Sequence, residues 1–329
     1  MRVSYDELYQ TLRRALLKVG FEPGRAELCA RLFAETDRDG VYTHGLNRLP
    51  RFLEMIEKGI VEVSTQPFCV EAHGALERWD GRSGAGNLNA HASMARAIEL
   101  SRQHGVGCVA LRNTNHWMRG GSYGWQAAEA GALAFGWTNT LPNLPPWGST
   151  RALLGNNPFV IAVPRPAGHV VLDMAMSQFS YGALAAYRSR GEQLPVDGGF
   201  DTEGHLTRDP GAIEESGRPL PIGFWKGSGL ALLLDISAAL LAGGLATHQI
   251  PPDPLEETRL SQVFLAFDLT RLGGMEAASR IADDIVESLH IGGGESVRYP
   301  GERTLLIRRE NMEKGIPVEP SVWEHVRNL

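Results

Sequence analysis

Residues 40–52 read GVYTHGLNRLPRF. A hydroxyl residue, a histidine and a glycine stand in succession, with an arginine four positions beyond the histidine. His44 can take or give a proton near neutral pH. Arg48 carries a planar fork that matches a carboxylate. Gly45 would let the backbone approach a ligand closely, while Val41, Leu46 and Leu49 supply packing. A proton donor beside a carboxylate clamp is what reduction of a 2-oxo acid requires, because hydride reaching the carbonyl carbon leaves alkoxide charge for the donor to neutralise. A lone histidine is more often a structural residue, and the crowding of polar and permissive neighbours here is what favours chemistry.

A second polar cluster, NTNHWMRGG (113–121), directly follows the apolar run VGCVAL (106–111). Strand ends are where α/β proteins place their sites. His116 and Arg119 are therefore candidates to face a substrate, with Trp117 as a packing anchor. Two further motifs read more blandly. DGRSGAGNLNAH (80–91) offers Gly84-x-Gly86 opening a helix, but Asn89 stands third and no acidic residue follows about 20 positions on, so a turn and helix start account for it. GGSYG (120–124) matches the nucleophile elbow of α/β-hydrolases, a remote alternative using Ser122. The polar, bulky residues before it do not form the strand that such an elbow needs, and Ser122 reads instead as a helix N-cap. Ten histidines in no close ligand spacing predict no metal site.

Positioning these residues requires an alternation of elements. Ser4 and Glu7 form a capping box ahead of Leu8, Leu12 and Leu16, which recur on a helical period. Further helices are expected over about 25–37 and from near Asn47, where Pro50 fits a first turn. FCVEAHGALERWD reads as a hairpin turning at His73-Gly74. Helices over 87–103, 122–130, 178–189, 228–242 and 275–289 then separate or follow short apolar runs at 106–111, 132–137, 158–164, 169–175 and 264–269. This is an α/β layer pattern. Residues 191–222 form a long irregular excursion, and the tail reads helical.

The chain has 329 residues, 43% hydrophobic and 21% charged, with a net charge of −6. That is an ordinary globular composition, and its scattered basic residues leave no footprint for nucleic acid. Three cysteines without a CxxC pair fit a reducing cytoplasm. The longest apolar stretch, GLALLLDISAALLAGG, carries Asp235 and is too short to span a bilayer. It reads as a buried helix, with no membrane partner.

The ordered segments THGLNR, NTNHWMRGGSYGWQAAEAG, LPPWG, GNNPFVIAVP, VLDMAMSQFSYG, LPVDGGF and GFWKGSGL together resemble the malate/L-lactate dehydrogenase family of nicotinamide-dependent oxidoreductases. The likeness runs from the first helix to SVWEHVRNL. It implies an α/β (α+β) fold with a non-Rossmann, mixed-sheet nicotinamide-binding domain over 76–299. A helical domain built from 1–75 and 300–329 would carry the catalytic histidine. It also implies a homodimer with NAD(H) near the subunit interface and a small 2-oxo acid as substrate. By position, His44 becomes the proton donor and Arg48 the carboxylate ligand, while His116 remains a catalytic candidate on the strength of its own polar cluster. Cofactor contacts fall on Thr43, on the strand His169, Val170, Val171, Leu172, Asp173, Met174 and Ala175, on Trp225 and Lys226, and on Gly301, Glu302 and Arg303. The basic Arg303 keeps NADP(H) admissible. Proteins alike at these motifs reduce oxo acids, sulfonated acids or cyclic imino acids, so the motifs leave the substrate open.

Overall fold

The computed structural model describes residues 1–293 and 296–329. In chain order the elements begin with β1 (Arg2–Val3), α1 (Tyr5–Lys18), α2 (Pro23–Arg38), α3 (Leu49–Glu57), β2 (Phe68–His73) and β3 (Leu76–Asp80). Next come α4 (Gly86–His104), β4 (Val106–Thr114), α5 (Gly121–Glu129), β5 (Ala132–Thr138), β6 (Phe159–Val163) and β7 (Val170–Met174). After α6 (Tyr181–Ser189), the excursion 191–222 holds β8 (Gly199–Phe200), β9 (Leu206–Thr207) and α7 (Pro210–Ser216). The chain continues through α8 (Trp225–Ala242), β10 (Leu260–Asp268), α9 (Met275–Gly293), α10 (Glu302–Lys314), β11 (Ile316–Pro317) and α11 (Pro320–Arg327).

Seven strands form one sheet in the order β2-β3-β4-β10-β5-β6-β7. Only β3 and β4 run parallel; every other pair in the sheet is antiparallel. The fold is thus mixed α/β, as expected, and not a doubly wound parallel sheet. Both faces are covered. On β10, Phe264 and Ala266 meet α4 and α5 through Met94, Ala97 and Ala127, whereas Val263 meets Ala238 and Ala242 of α8. This is the alternation that the two-residue period of a strand imposes.

A separate core gathers α1, α2, α3 and α11 around Leu8, Leu12, Phe33, Phe52 and Trp323. Ser4 caps α1 by accepting the Glu7 N–H at 3.1 Å, and β1 pairs with β11, which ties the two ends of the chain together. Ala85, Leu88 and Met118 extend this core to the start of α4 and the loop after β4.

Three expectations change. Residues 68–73, counted by sequence with the helical segment, form the edge strand β2 of the large sheet. The apolar helix α8 is not buried all round. Ala231, Leu234 and Ala238 face inward while Leu233 and Leu240 are 62% and 71% exposed. Asp235 is buried on the packed face because it accepts from Asn139 Nδ2 at 3.0 Å and the Thr247 N–H at 2.9 Å. The excursion 191–222 is less irregular than its composition suggests, since its Leu194 and Ile213 form a small core with Leu184 of α6.

Candidate active site

His44 lies in the turn between α2 and α3, just ahead of the 3-10 turn Leu46–Arg48. That turn is fixed from below by Asp37, the penultimate residue of α2. Its buried carboxylate accepts the Leu46 N–H at 2.6 Å, and burial pushes its pKa well above the usual range. A Cβ on residue 45 would fall 2.1 Å from Asp37 Oδ1. Asp37 alone is therefore enough to require Gly45, a reason its sequence context does not offer. Thr43 Oγ1 lies 2.8 Å from His44 Nδ1 and holds the ring whichever atom donates. Thr43 also packs against α6, where a Cβ on Gly182 would meet its methyl at 2.5 Å.

His116 stands on the loop after β4, and its ring stacks on that of His44 with centroids 5.9 Å apart and 24° between planes. Its neighbours pin it. Trp117, 2% exposed, packs with Tyr123 and Phe264, so the expected anchor is one. Asn115 Nδ2 donates to the Ser83 and Gly84 carbonyls at 2.8 and 3.0 Å. The Met118 N–H donates to His116 Nδ1 at 3.0 Å. A backbone N–H needs an unprotonated acceptor, so neutral His116 carries its proton on Nε2. Burial, helped by Arg48 and His44, holds its pKa well below the ordinary value. His44 is held down to about 4 by burial first, then by Arg48 and Arg119. Both rings are neutral at pH 7.

Arg48 completes the group. Its nearest carboxylate is Glu257, at 3.9 Å and beyond hydrogen-bond range, and Arg51 approaches the same carboxylate at 3.7 Å. Burial and the neighbouring Arg51 bring the Arg48 pKa down to about 10. Two guanidiniums thus share one distant carboxylate beside two neutral imidazoles, leaving positive potential for an anion. Arg119 is committed elsewhere. Only 5% exposed, it donates through Nη1 to Asp39 at 2.7 Å, so the structure gives it electrostatic reach to His44 and a separate partner.

The segments singled out for a cofactor lie along the sheet-edge strand β7. At its beginning, Val171 N donates to the Pro300 carbonyl at 2.9 Å. Gly301, at φ +96°, comes so close that a Cβ there would lie 3.1 Å from Val171 N. Glu302 turns back to accept the Tyr299 N–H at 3.2 Å, and Arg303 is exposed. His169 Nδ1 accepts the Arg165 N–H at 3.0 Å, and its ring packs on Trp125. Along the strand, Val171 packs towards α5 and Met174 towards the opposite core, with Val170 and Leu172 half-buried. Asp173 accepts the Gly121 N–H at 2.7 Å. It keeps solvent contact along one edge, yet the protein packed around the rest pushes its pKa up, against the pull of Arg119. Beyond Ala175, the Ile222 N–H donates to the Met176 carbonyl at 2.8 Å, which brings the start of α8 to this end of β7. Phe224 there is strained, with φ 60° and ψ −117°, and Trp225 is 66% exposed beside an exposed Lys226.

Two other motifs are explained without ligands. Gly84-x-Gly86 does sit in a βαβ unit, β3-α4-β4. A Cβ on Gly86, however, would land 2.2 Å from the Asn115 carbonyl oxygen and 2.3 Å from that of His116. The α4 N-terminus is therefore covered by the loop carrying His116. Ser122 lies within the first turn of α5, eight residues beyond the end of β4, and is neither an elbow nor the N-cap, which is Gly120.

Comparison with known proteins decides the lineage. The malate/L-lactate dehydrogenase family model matches residues 3–327. The 2,3-diketo-L-gulonate reductase of Escherichia coli K12 is 44% identical over 333 residues, covering 100% of both chains. The chain belongs to the malate/L-lactate dehydrogenase family. Solved structures of the family agree. A Δ1-piperideine-2-carboxylate reductase from Pseudomonas syringae superposes with a TM-score of 0.90 at 29% identity, over 100% of this chain and 99% of that one. A sulfolactate dehydrogenase from Methanocaldococcus jannaschii gives 0.90 at 25%, over 99% and 95%.

As a member of this family the protein is an oxidoreductase of nicotinamide-dependent type. Arg51 and Glu257 escaped the sequence reading. Arg51 lies three residues beyond Arg48, so helical spacing offered a signal for it. Glu257 is more than two hundred positions away, and no spacing brings it near.

Proposed function

We propose that this protein reduces the keto group next to a carboxylate, with 2,3-diketo-L-gulonate as the first substrate to test and NADH as the preferred reductant. The observation that carries this is the stacked His44–His116 pair beside two guanidiniums that lack a close carboxylate. The substrate itself comes from the full-length likeness to the diketogulonate reductase. The residues along β7 fit an extended dinucleotide. Its five residues span about 17 Å at ~3.3 Å each, Gly301 makes room at one end, and the strained Phe224 with exposed Trp225 and Lys226 stands at the other. Arg303, exposed at the start of α10, supports acceptance of NADPH as well.

When bound, the nicotinamide supplies the hydride. Arg48, with Arg51 behind it, holds the substrate carboxylate and so fixes the carbonyl. That carboxylate offsets the charge of Arg48, one of the forces keeping His44 deprotonated, so His44 gains a proton as substrate binds. His44 then gives it to the oxygen on which negative charge develops, while Thr43 keeps the ring in plane. His116 offers Nε2–H as a hydrogen-bond donor and stays neutral. In the reverse direction neutral His44 is already a base.

We also propose a homodimer in the cytoplasm. The exposed apolar side of α8 supports the first, and three unpaired cysteines, one of them exposed, support the second. The helical unit carrying His44 would comprise 1–67 and 300–329, since β2 pairs with the sheet. Initial rates with NADH and NADPH across a 2-oxo-acid panel test the central claim, with a cyclic imino acid and 2,3-diketogulonate included. Turnover of diketogulonate with the highest kcat/KM is expected. Best turnover of the imino acid would move the substrate class, and no turnover of any member would sink the reading.

A further inference from the structure

A second polar cavity, of about 150 Å³, lies apart from the His44 turn, walled by α2, α4, α5 and α10. Three of its side chains, Arg31, His91 and Ser122, make no side-chain hydrogen bond or ion pair with another described residue. All three can donate. The carboxylates in the lining are already engaged or peripheral. Asp39 accepts from Arg38 Nε at 2.8 Å, Arg119 Nη1 at 2.7 Å and Arg308 Nε at 2.7 Å. Glu35 lies 3.5 Å from Arg38, and Glu129 is exposed. Four guanidiniums therefore face three carboxylates, and the guanidinium without a partner belongs to Arg31.

We propose that this cavity is a binding site for a phosphate-sized oxyanion, held by Arg31, His91 and Ser122 and distinct from the site along β7. A tetrahedral anion accepts from several donors at once, and a guanidinium fork matches two of its oxygens. The inventory favours an anion over a cation, because the unpaired Arg31 guanidinium and the partnerless buried Arg119 Nε outweigh the one buried acceptor without a partner, Gln126 Oε1, and the exposed Glu129. Arg119 lies in this lining and also within electrostatic reach of His44, so occupancy bears on the reacting histidine without touching it. Burial and Arg31 together keep His91 less basic than usual, a penalty that an anion between them relieves.

Calorimetric titration of the intact protein with inorganic phosphate, with and without saturating NADH, tests the site. Saturable binding is expected in both arms. Arg31→Ala should weaken it by about tenfold, roughly 1.4 kcal/mol, and Ser122→Ala by less, each with NADH affinity unchanged. Arg31 is exposed on α2, so its loss should leave the fold intact, which circular dichroism checks. Phosphate affinity unchanged in Arg31→Ala overturns the proposal, as does absence of saturable binding to the wild type. Displacement of phosphate by NADH overturns it too, because the phosphate would then have occupied the cofactor's own site.

Discussion

His44 enters the reaction with a pKa near 4, held there by burial and by two guanidiniums, and this low value is itself testable. A general acid contributes about 10²–10⁴-fold to rate. His44→Ala should lower kcat by that order while the Kd for NADH hardly moves. In the wild type, kcat/KM for reduction should fall as pH rises above the free-enzyme pKa, and kcat/KM for oxidation should stay level from about pH 5 upward, because the neutral ring is the competent base. Loss of less than tenfold in the variant would transfer the donor role to His116, whose backbone-bound Nδ1 makes it the poorer acid. The types and spacing in THGLNR made this site legible. What they could not convey was the reason for Gly45. The residue that forbids a side chain there, Asp37, is eight positions earlier and reaches it only once α2 has ended. Glu257 was hidden for the same reason of distance, since only the fold brings it towards Arg48 and Arg51.

At the scale of elements, periodicity identified the helices and strands well, because each has one packed face that the sequence must write out. It failed on α8, where apolar residues occur all round. Such a pattern normally marks burial, yet Leu232, Leu233, Ile236 and Leu240 are exposed in the single chain. An apolar surface of this kind marks an interaction site, and a second copy of the chain is the occupant proposed above. A charge placed in it would have to be desolvated on association. Leu240→Glu should thus shift the protein from dimer to monomer by sedimentation at matched concentration. The inward face of α8 is untouched by this change, so secondary structure should be preserved. A variant that sediments as the wild type does would place the interface elsewhere. The Gly84-x-Gly86 stretch shows the opposite limit. Its βαβ setting is real, but the loop over Gly86 is a tertiary contact that no local pattern records.

For the whole molecule, the balance of perturbed groups fixes how stability responds to acid. His44, His91, His116 and His169 all have lowered pKa values, each chiefly through burial. The unfolded chain binds protons on these rings below about pH 6.5, whereas the folded protein does not until the pH falls much further, to about 4 for His44. Between those limits unfolding takes up protons, so stability must fall as pH falls, by about 1.4 kcal/mol per pH unit for each proton taken up. Two carboxyls oppose this. Asp37 and Asp173 have raised values, so over the same range the fold holds protons that the unfolded chain releases. Asp37 is buried and counts in full, but Asp173 keeps solvent contact and counts for less. His91 and His169 are only half-buried and also count for less. Asp39 and Glu77, however, have pKa values lowered by their arginine partners against the opposing effect of burial, and they take up protons on unfolding at the acid end as well. Together these groups leave the net sign with the histidines. The Tm of the ligand-free protein should therefore drop steadily from pH 7 to pH 5. Replacing His44 and His116 together by glutamine should flatten that drop, because the two rings face one another and are among the groups that repel a proton most strongly. Calorimetric scans of both proteins at low salt, over several pH values, measure the two slopes. A wild-type Tm that rises on acidification would mean that the buried carboxyls dominate, and equal slopes would show that the paired imidazoles are protonated in the fold already.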